Sequence, residues 1–319
     1  MMRKQEEITS KLGVLATIAQ GFDLTSKHPW LLLLPALLDI FYWLGPRLSL
    51  QPLIAQLAAL APQEGPIVAY SALLLELAPR TNLFTTLTVR FIGVPALMVG
   101  VAPAVTPLSP RVFELTSWAV LAGLLAAFAL LGLLLTAVYY TLIAQALHRQ
   151  AHDGPPLSVI DWGPHVGRTW RRLVGLMLVF IVNALAVYTP LAIVGGLLML
   201  LNSFLGLMVL MIGPVALFWL VVLMSLAPAG VAVNGRPLWP ALVESVRLVY
   251  ANWIPTLTLL LAIVAISTLL DWLLVLADTG GWLTLANIFG HAFVSTALVA
   301  ALFIFYRDRF ALAFRKQNV

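Results

Sequence analysis

The sequence predicts an all-α fold: a polytopic transmembrane bundle of six spans in three hairpins, each preceded by an amphipathic helix at the cytoplasmic face. Three observations carry this reading. Hydrophobic residues make up 61% of the chain and charged residues only 10%, against about 25% charged in a soluble domain. The apolar residues fall in runs that approach or exceed the roughly 20 residues a helix needs to cross a bilayer. An amphipathic pattern also recurs ahead of those runs.

The first run, 29–45, is short, and Lys27 and Arg47 flank it as snorkelling anchors. It lacks a small-residue cleavage site, so it reads as an uncleaved first span. The runs 118–147, 173–201, 204–227 and 254–276 are long and nearly free of charge. A sixth, 282–306, contains a single histidine, His291. No hydrophilic stretch approaches the roughly 50 residues of a small domain. The chain therefore reads as one integral membrane domain, 1–319. With no cysteine, disulfides, thiolate metal sites and cysteine nucleophiles are excluded.

Residues 46–117 form an insertion. Part of it, 83–105, is apolar but interrupted by Arg90, Gly93, Pro95, Gly100 and Pro103. Charge decides how it is read. With six spans and both termini cytoplasmic, 14 of the 18 basic residues face inward and only Arg47, Arg80, Arg90 and Arg111 face outward, as the positive-inside rule demands. A seventh span at 83–105 would put the Arg149–Arg172 cluster outside. The segment is therefore expected to re-enter or lie on the outer face, packed against protein. The pI of about 9.7 reflects these topogenic charges and not a nucleic-acid partner.

The amphipathic unit recurs at a fixed offset. After Pro164, the residues Val166, Trp170, Leu173 and Val174 form an apolar stripe, with His165, Arg168, Thr169, Arg171 and Arg172 opposite. After Pro240, Leu242, Val246, Val249 and Tyr250 repeat the spacing 76 residues on, with Glu244, Ser245 and Arg247 opposite. Ile8, Leu12, Leu15 and Ala16 repeat it more weakly. The spacing i, i+4, i+7, i+8 is one face of a helix. Each segment is expected to lie in the cytoplasmic interface, turn through an elbow and lead into a hairpin. Arg168, Arg171, Arg172 and Arg247 are then candidate contacts for lipid headgroups, anionic ones included.

His28-Pro29-Trp30-Leu31, Leu34-Pro35-Ala36-Leu37-Leu38-Asp39, and Pro237-Leu238-Trp239-Pro240-Ala241-Leu242 followed by Asn252-Trp253 together resemble a group of bacterial six-span proteins. That group includes the membrane domain of glycerophosphodiester phosphodiesterases. The resemblance covers most of the chain in architecture but only short, topogenic motifs in sequence. It implies a bacterial inner-membrane location. In phosphodiesterase members the chemistry resides in a separate soluble barrel, which has no counterpart here, and the insertion 46–117 departs from the simplest pattern.

Ionisable groups inside a bilayer are costly and raise a functional question by default. Asp39, Asp271 and His291 are the three candidates. The bland reading places them apart near the outer ends of their helices, solvated or paired with Arg47 or Arg90; the sharper one joins them in a proton or ion path. His148 and His152 have metal-ligand spacing, with Asp153 adjacent and Asp161 and His165 a loop away. No glutamate base sits between the histidines, so they read as surface groups. Asn183, Asn202 and Asn287 are candidates for bridging helices, and Gly195-Gly196, Pro190 and Pro214 for close packing or kinks.

The preferred sequence reading is a non-enzymatic membrane protein without cofactor or metal, acting in envelope organisation, lipid interaction or assembly with protein partners. Two alternatives stand beside it: a transporter or channel for a small solute or lipid, and a membrane-embedded metal-dependent hydrolase.

Overall fold

A computed structural model describes residues 12–60, 67–89, 92–99, 106–151, 159–277 and 281–315. The helices are α1 (Val14–Lys27), α2 (Leu33–Leu44), α3 (Gln51–Leu60), α4 (Ile67–Leu77), α5 (Trp118–Ala151), α6 (Val159–Leu201), α7 (Ser203–Met224), α8 (Ala227–Val233), α9 (Leu238–Ala251), α10 (Trp253–Ala277) and α11 (Thr284–Arg315). Two three-residue strands, β1 (Arg47–Ser49) and β2 (Val112–Glu114), pair in parallel. The fold is an all-α membrane bundle.

Among the described residues, five helices are long and apolar enough to cross a membrane: Trp118–Gln150, Asp161–Leu201, Ser203–Val233, Trp253–Leu274 and Thr284–Ala313. The apolar helix Pro29–Leu44 is shorter. It opens with a turn of 3-10 helix, Pro29–Leu32, and ends where the Gly45 N–H bonds the Phe41 carbonyl ahead of Pro46. Proline cannot continue that hydrogen-bond ladder.

The amphipathic segments behave differently in the three repeats. Between α1 and the 3-10 turn, His28 breaks the helix at φ −128°, ψ 63°. Between α9 and α10, Asn252 does so at φ −139°, ψ 39°. The two breaks are alike, and each is followed closely by proline, at Pro29 and Pro255. The second repeat has no such elbow. α6 runs unbroken for 43 residues, because no proline follows Arg172 before Pro190.

The chain forms two compact units. Unit 1 comprises 1–20, 140–263 and 301–319; unit 2 comprises 21–139 and 264–300. The boundaries fall inside α1, α5, α10 and α11, where the sequence reads as a single domain. Among the described residues, Lys27, Arg47, Arg80 and Arg111 lie in unit 2, and Arg149, Arg168, Arg171, Arg172, Arg236, Arg247, Arg307, Arg309 and Arg315 in unit 1.

In unit 1, α6 and α7 pair as a hairpin. Gly195, Gly206 and Gly213 let Leu210, Met199 and Tyr188 close over the backbone, the close packing expected at Gly195. Asn202 caps α7 by accepting from Phe204 and Leu205 N–H. Asn183 bonds only its own helix, at the Val179 carbonyl, so neither of these bridges helices. The helix α9 packs on α6, α7 and α8, but rotated from the expected face. Ala241, Leu242, Glu244, Ser245, Leu248 and Val249 are buried. The Ser245 hydroxyl donates to the Leu223 carbonyl at 2.6 Å and accepts from Leu226 N–H at 3.2 Å. Glu244 pairs with Arg236 at 3.0 Å and accepts from the Tyr306 hydroxyl. These polar partners turn Glu244 and Ser245 inward and leave Trp239, Val243, Arg247 and Tyr250 outside. The α8–α9 turn uses Gly235 at φ +57°, a left-handed backbone that favours glycine. On α6, Val166, Thr169, Leu173 and Leu176 are buried in its first half, and Gly195 in its second. Val166 and Leu173, expected to face the acyl boundary, and Thr169, expected on the polar face, are instead buried against protein.

In unit 2, the insertion is built from α3, α4 and irregular chain around Leu53, Leu83 and Leu115. The expected outer-face element, 83–105, does not form a spanning helix over its described residues. It gives a 3-10 turn, Leu83–Leu87, then non-helical chain through 92–99. It packs against protein as expected: Leu83, Leu87, Val89, Val94 and Met98 are buried. Gly132 on α5 admits the Leu87 carbonyl into the space a Cβ would need.

Candidate functional site

The helix α2 buries one face, including Pro35, Ala36, Asp39, Tyr42 and Trp43. Asp39 therefore points into unit 2, fully buried. The chain at 92–99 comes to it. Leu97 N–H donates to one carboxylate oxygen at 2.9 Å and Met98 N–H to the other at 2.8 Å. The Tyr42 hydroxyl, one turn on, meets the Thr88 hydroxyl at 3.0 Å. Non-helical backbone inside a membrane protein must find acceptors for its N–H groups, and Asp39 supplies two. Arg47 and Arg90 were the expected partners of Asp39. The backbone amides take that role, and Arg90 lies outside the described residues.

His291 lies about two turns into α11 and is almost fully buried. Its Nδ1 is 3.8 Å from an Asp39 carboxylate oxygen, and its Nε2 is 3.5 Å from an Asp271 oxygen on α10. The imidazole therefore stands between two carboxylates, one on each ring nitrogen. The side chain of Asp271 is 53% exposed, while that of Asp39 is wholly buried, so the row runs from an accessible group to an enclosed one. The Ser295 hydroxyl bonds the His291 carbonyl at 2.6 Å. Asn287 bonds the Leu274 carbonyl at 3.3 Å, tying α11 to α10 beside the site as expected for a bridging asparagine. Trp43 and Trp282 stack edge to face at 5.9 Å.

The bland expectation, that Asp39, Asp271 and His291 lie apart, is overturned: all three form one group. Each sits within two turns of the nearer end of its helix, roughly 8–10 Å along the axis. Both imidazole contacts exceed the roughly 2.7–3.2 Å of a hydrogen bond, and Nδ1 has no hydrogen-bond partner among the described residues. A small ring movement thus selects which carboxylate the imidazole bonds. The arrangement suits proton transfer and not metal chelation, because the two ring nitrogens point opposite ways and Asp39 and Asp271 cannot share one ion with His291.

The other candidates are elsewhere. His148 Nε2 lies 3.1 Å from the Val233 carbonyl, and His152 and Asp153 are outside the described residues. Asp161 is exposed and His165 half-buried. Of the headgroup candidates, Arg168, Arg171 and Arg247 are exposed. Arg172 departs from the expectation: it is half-buried, and its guanidinium donates to the Gly235 carbonyl at 2.8 Å.

Sequence reasoning singled out the three ionisable residues but missed the 92–99 amides. The signal for them was present: an apolar segment broken by Gly93 and Pro95 cannot satisfy its own backbone. No family model matches the chain, and no curated protein or solved structure matches it.

Proposed function

We propose that the protein is a proton-translocating transporter, with Asp39, His291 and Asp271 as its proton-carrying group. The observation that supports this reading most is the imidazole standing between an exposed and an enclosed carboxylate in a membrane bundle. Such groups are expensive in a bilayer unless used. Histidine suits the middle position because it can accept a proton at one nitrogen while releasing one from the other. In this reading a proton on Asp271 passes to Nε2 as the Nδ1 proton passes to Asp39; Asp39 then releases it to a water molecule on the enclosed side, and return to the starting tautomer resets the ring. The organising reading weighed on these groups lying apart near the headgroups, so their convergence supports the transporter alternative.

We read the chain as six spans with both termini cytoplasmic, in a bacterial inner membrane. The 14-to-4 division of basic residues along the sequence supports this orientation, and the resemblance supports the location. The short Pro29–Leu44 helix then crosses with its Lys27 and Arg47 flanks reaching the surfaces. The test is proton uptake into dye-loaded proteoliposomes under an imposed pH gradient. Wild-type protein is expected to raise the rate over empty vesicles, and His291→Gln to return it to that baseline. A His291→Gln protein as active as wild type would refute the proposal.

A further inference from the structure

The arginine turn of α6 has a use that the proton site does not absorb. α6 is membrane-competent over 41 residues, Asp161–Leu201, or about 61 Å at about 1.5 Å per residue. That is about twice the hydrocarbon thickness of a bilayer. From Met177 to Leu201 every position except Gly195 is exposed or half-exposed. Leu173–Leu201 alone takes about 43 Å, the depth of a bilayer with its headgroups. Crossing the core takes only about 20 of these residues, so with the apolar run seated toward its N-terminal end, Arg168 and Arg171 fall at the headgroup level of one leaflet.

The two arginines are chemically available. Both are exposed, and among the described residues neither is in an ion pair. Arg172 is occupied at Gly235, and this contact brings the start of α9 alongside. Leu238 rests on Gly175, where it fills the space of a Cβ. The next residue, Trp239, is 68% exposed. It begins an outward stripe on α9 of Trp239, Val243, Val246 and Tyr250, with Tyr250 70% exposed and Arg247 beside it. An outward face of indole, phenol and valine bordered by arginine fits the boundary between acyl chains and headgroups. A soluble acidic partner would leave the tryptophan and valines without a complement.

We infer that this α6–α9 corner binds an anionic phospholipid, with Arg168 and Arg171 on its phosphate and the Trp239–Tyr250 stripe against its acyl chains. Guanidinium groups engage phosphate through paired N–H donors.

The test is native mass spectrometry of the full chain in detergent with phosphatidylglycerol and phosphatidylcholine of matched acyl chains. Wild-type protein is expected to retain phosphatidylglycerol preferentially. Arg168→Gln and Arg171→Gln should each weaken that retention about fivefold, the effect of one basic residue at an anionic surface. Together they should abolish the preference, while Arg80→Gln in unit 2 leaves it intact. An unchanged preference in the double variant overturns the inference. So does displacement of the lipid by inorganic phosphate at equal concentration, which would mark a free-anion site. Should the double variant not fold, a salt series on the wild type decides. The preference must fall with ionic strength, and a salt-independent preference contradicts the site.

Discussion

At the scale of single residues, the site depends on where small and polar groups allow backbone to approach. Asp39 is held by two loop amides, and the 3-10 turn that precedes that loop lies against α5 at Gly132. Alanine at 132 would drive its Cβ into the Leu87 carbonyl. Overpacking of this kind costs about 1–3 kcal/mol, and the movable neighbour is the segment that leads to Leu97 and Met98. Gly132→Ala is expected to lower the thermal midpoint in detergent and to reduce proton uptake at the same time. Loss of stability with uptake intact would separate the loop from the site. The legible part of the site was its residue types, because Asp39, Asp271 and His291 stand out against apolar neighbours. Their convergence was not legible: helix spacing gives the face of a residue, but not which helices lie beside it. The amides of Leu97 and Met98 left no trace in residue identity at all.

At the scale of elements, helix existence followed from apolar runs and helix faces did not follow from hydrophobicity alone. α9 is the clearest case. Its expected apolar stripe is split: Leu242 and Val249 are buried beside Glu244 and Ser245, which bond to protein, while Val246 is half-exposed and Tyr250 exposed. In a membrane protein, outward-facing apolar residues meet lipid, so burial of a polar group is the better guide to the inner face. The elbow was legible where His28-Pro29 and Asn252 with Pro255 interrupt the ladder, and absent in α6, where no proline follows. Glu244 gives a testable consequence. Burial pushes its carboxyl above the ordinary value of 4.5, while Arg236 and the Tyr306 hydroxyl pull the other way. The folded chain therefore holds this proton more tightly than the unfolded chain does. Stability from this group is greatest below 4.5 and falls as pH rises through the raised value. The midpoint of wild type relative to Glu244→Gln should accordingly decline as pH rises above 4.5. A difference that is flat or grows over that range would contradict this account of the α8–α9 corner.

At the scale of the whole molecule, membrane class was legible from composition, and orientation was read from charge. Reporter fusions after Arg149 and after Arg315 are expected in the cytoplasm, and a fusion near Glu64 outside. A cytoplasmic signal at Glu64 would remove the six-span arrangement and the outer-face position of the insertion with it. The division into two units was not legible, because its boundaries cut across helices that the sequence presents as continuous. The proposed function rests on the row from Asp271 through His291 to Asp39 acting in series. Groups in series fail together, so removing a second adds little once the first is gone. The decisive measurement is proton uptake by proteoliposomes carrying Asp271→Asn, His291→Gln or both, each checked for folding. The account predicts that each single variant falls to the empty-vesicle rate and that the double variant is no lower. Wild-type uptake in either single variant, or partial losses that multiply in the double, would contradict it.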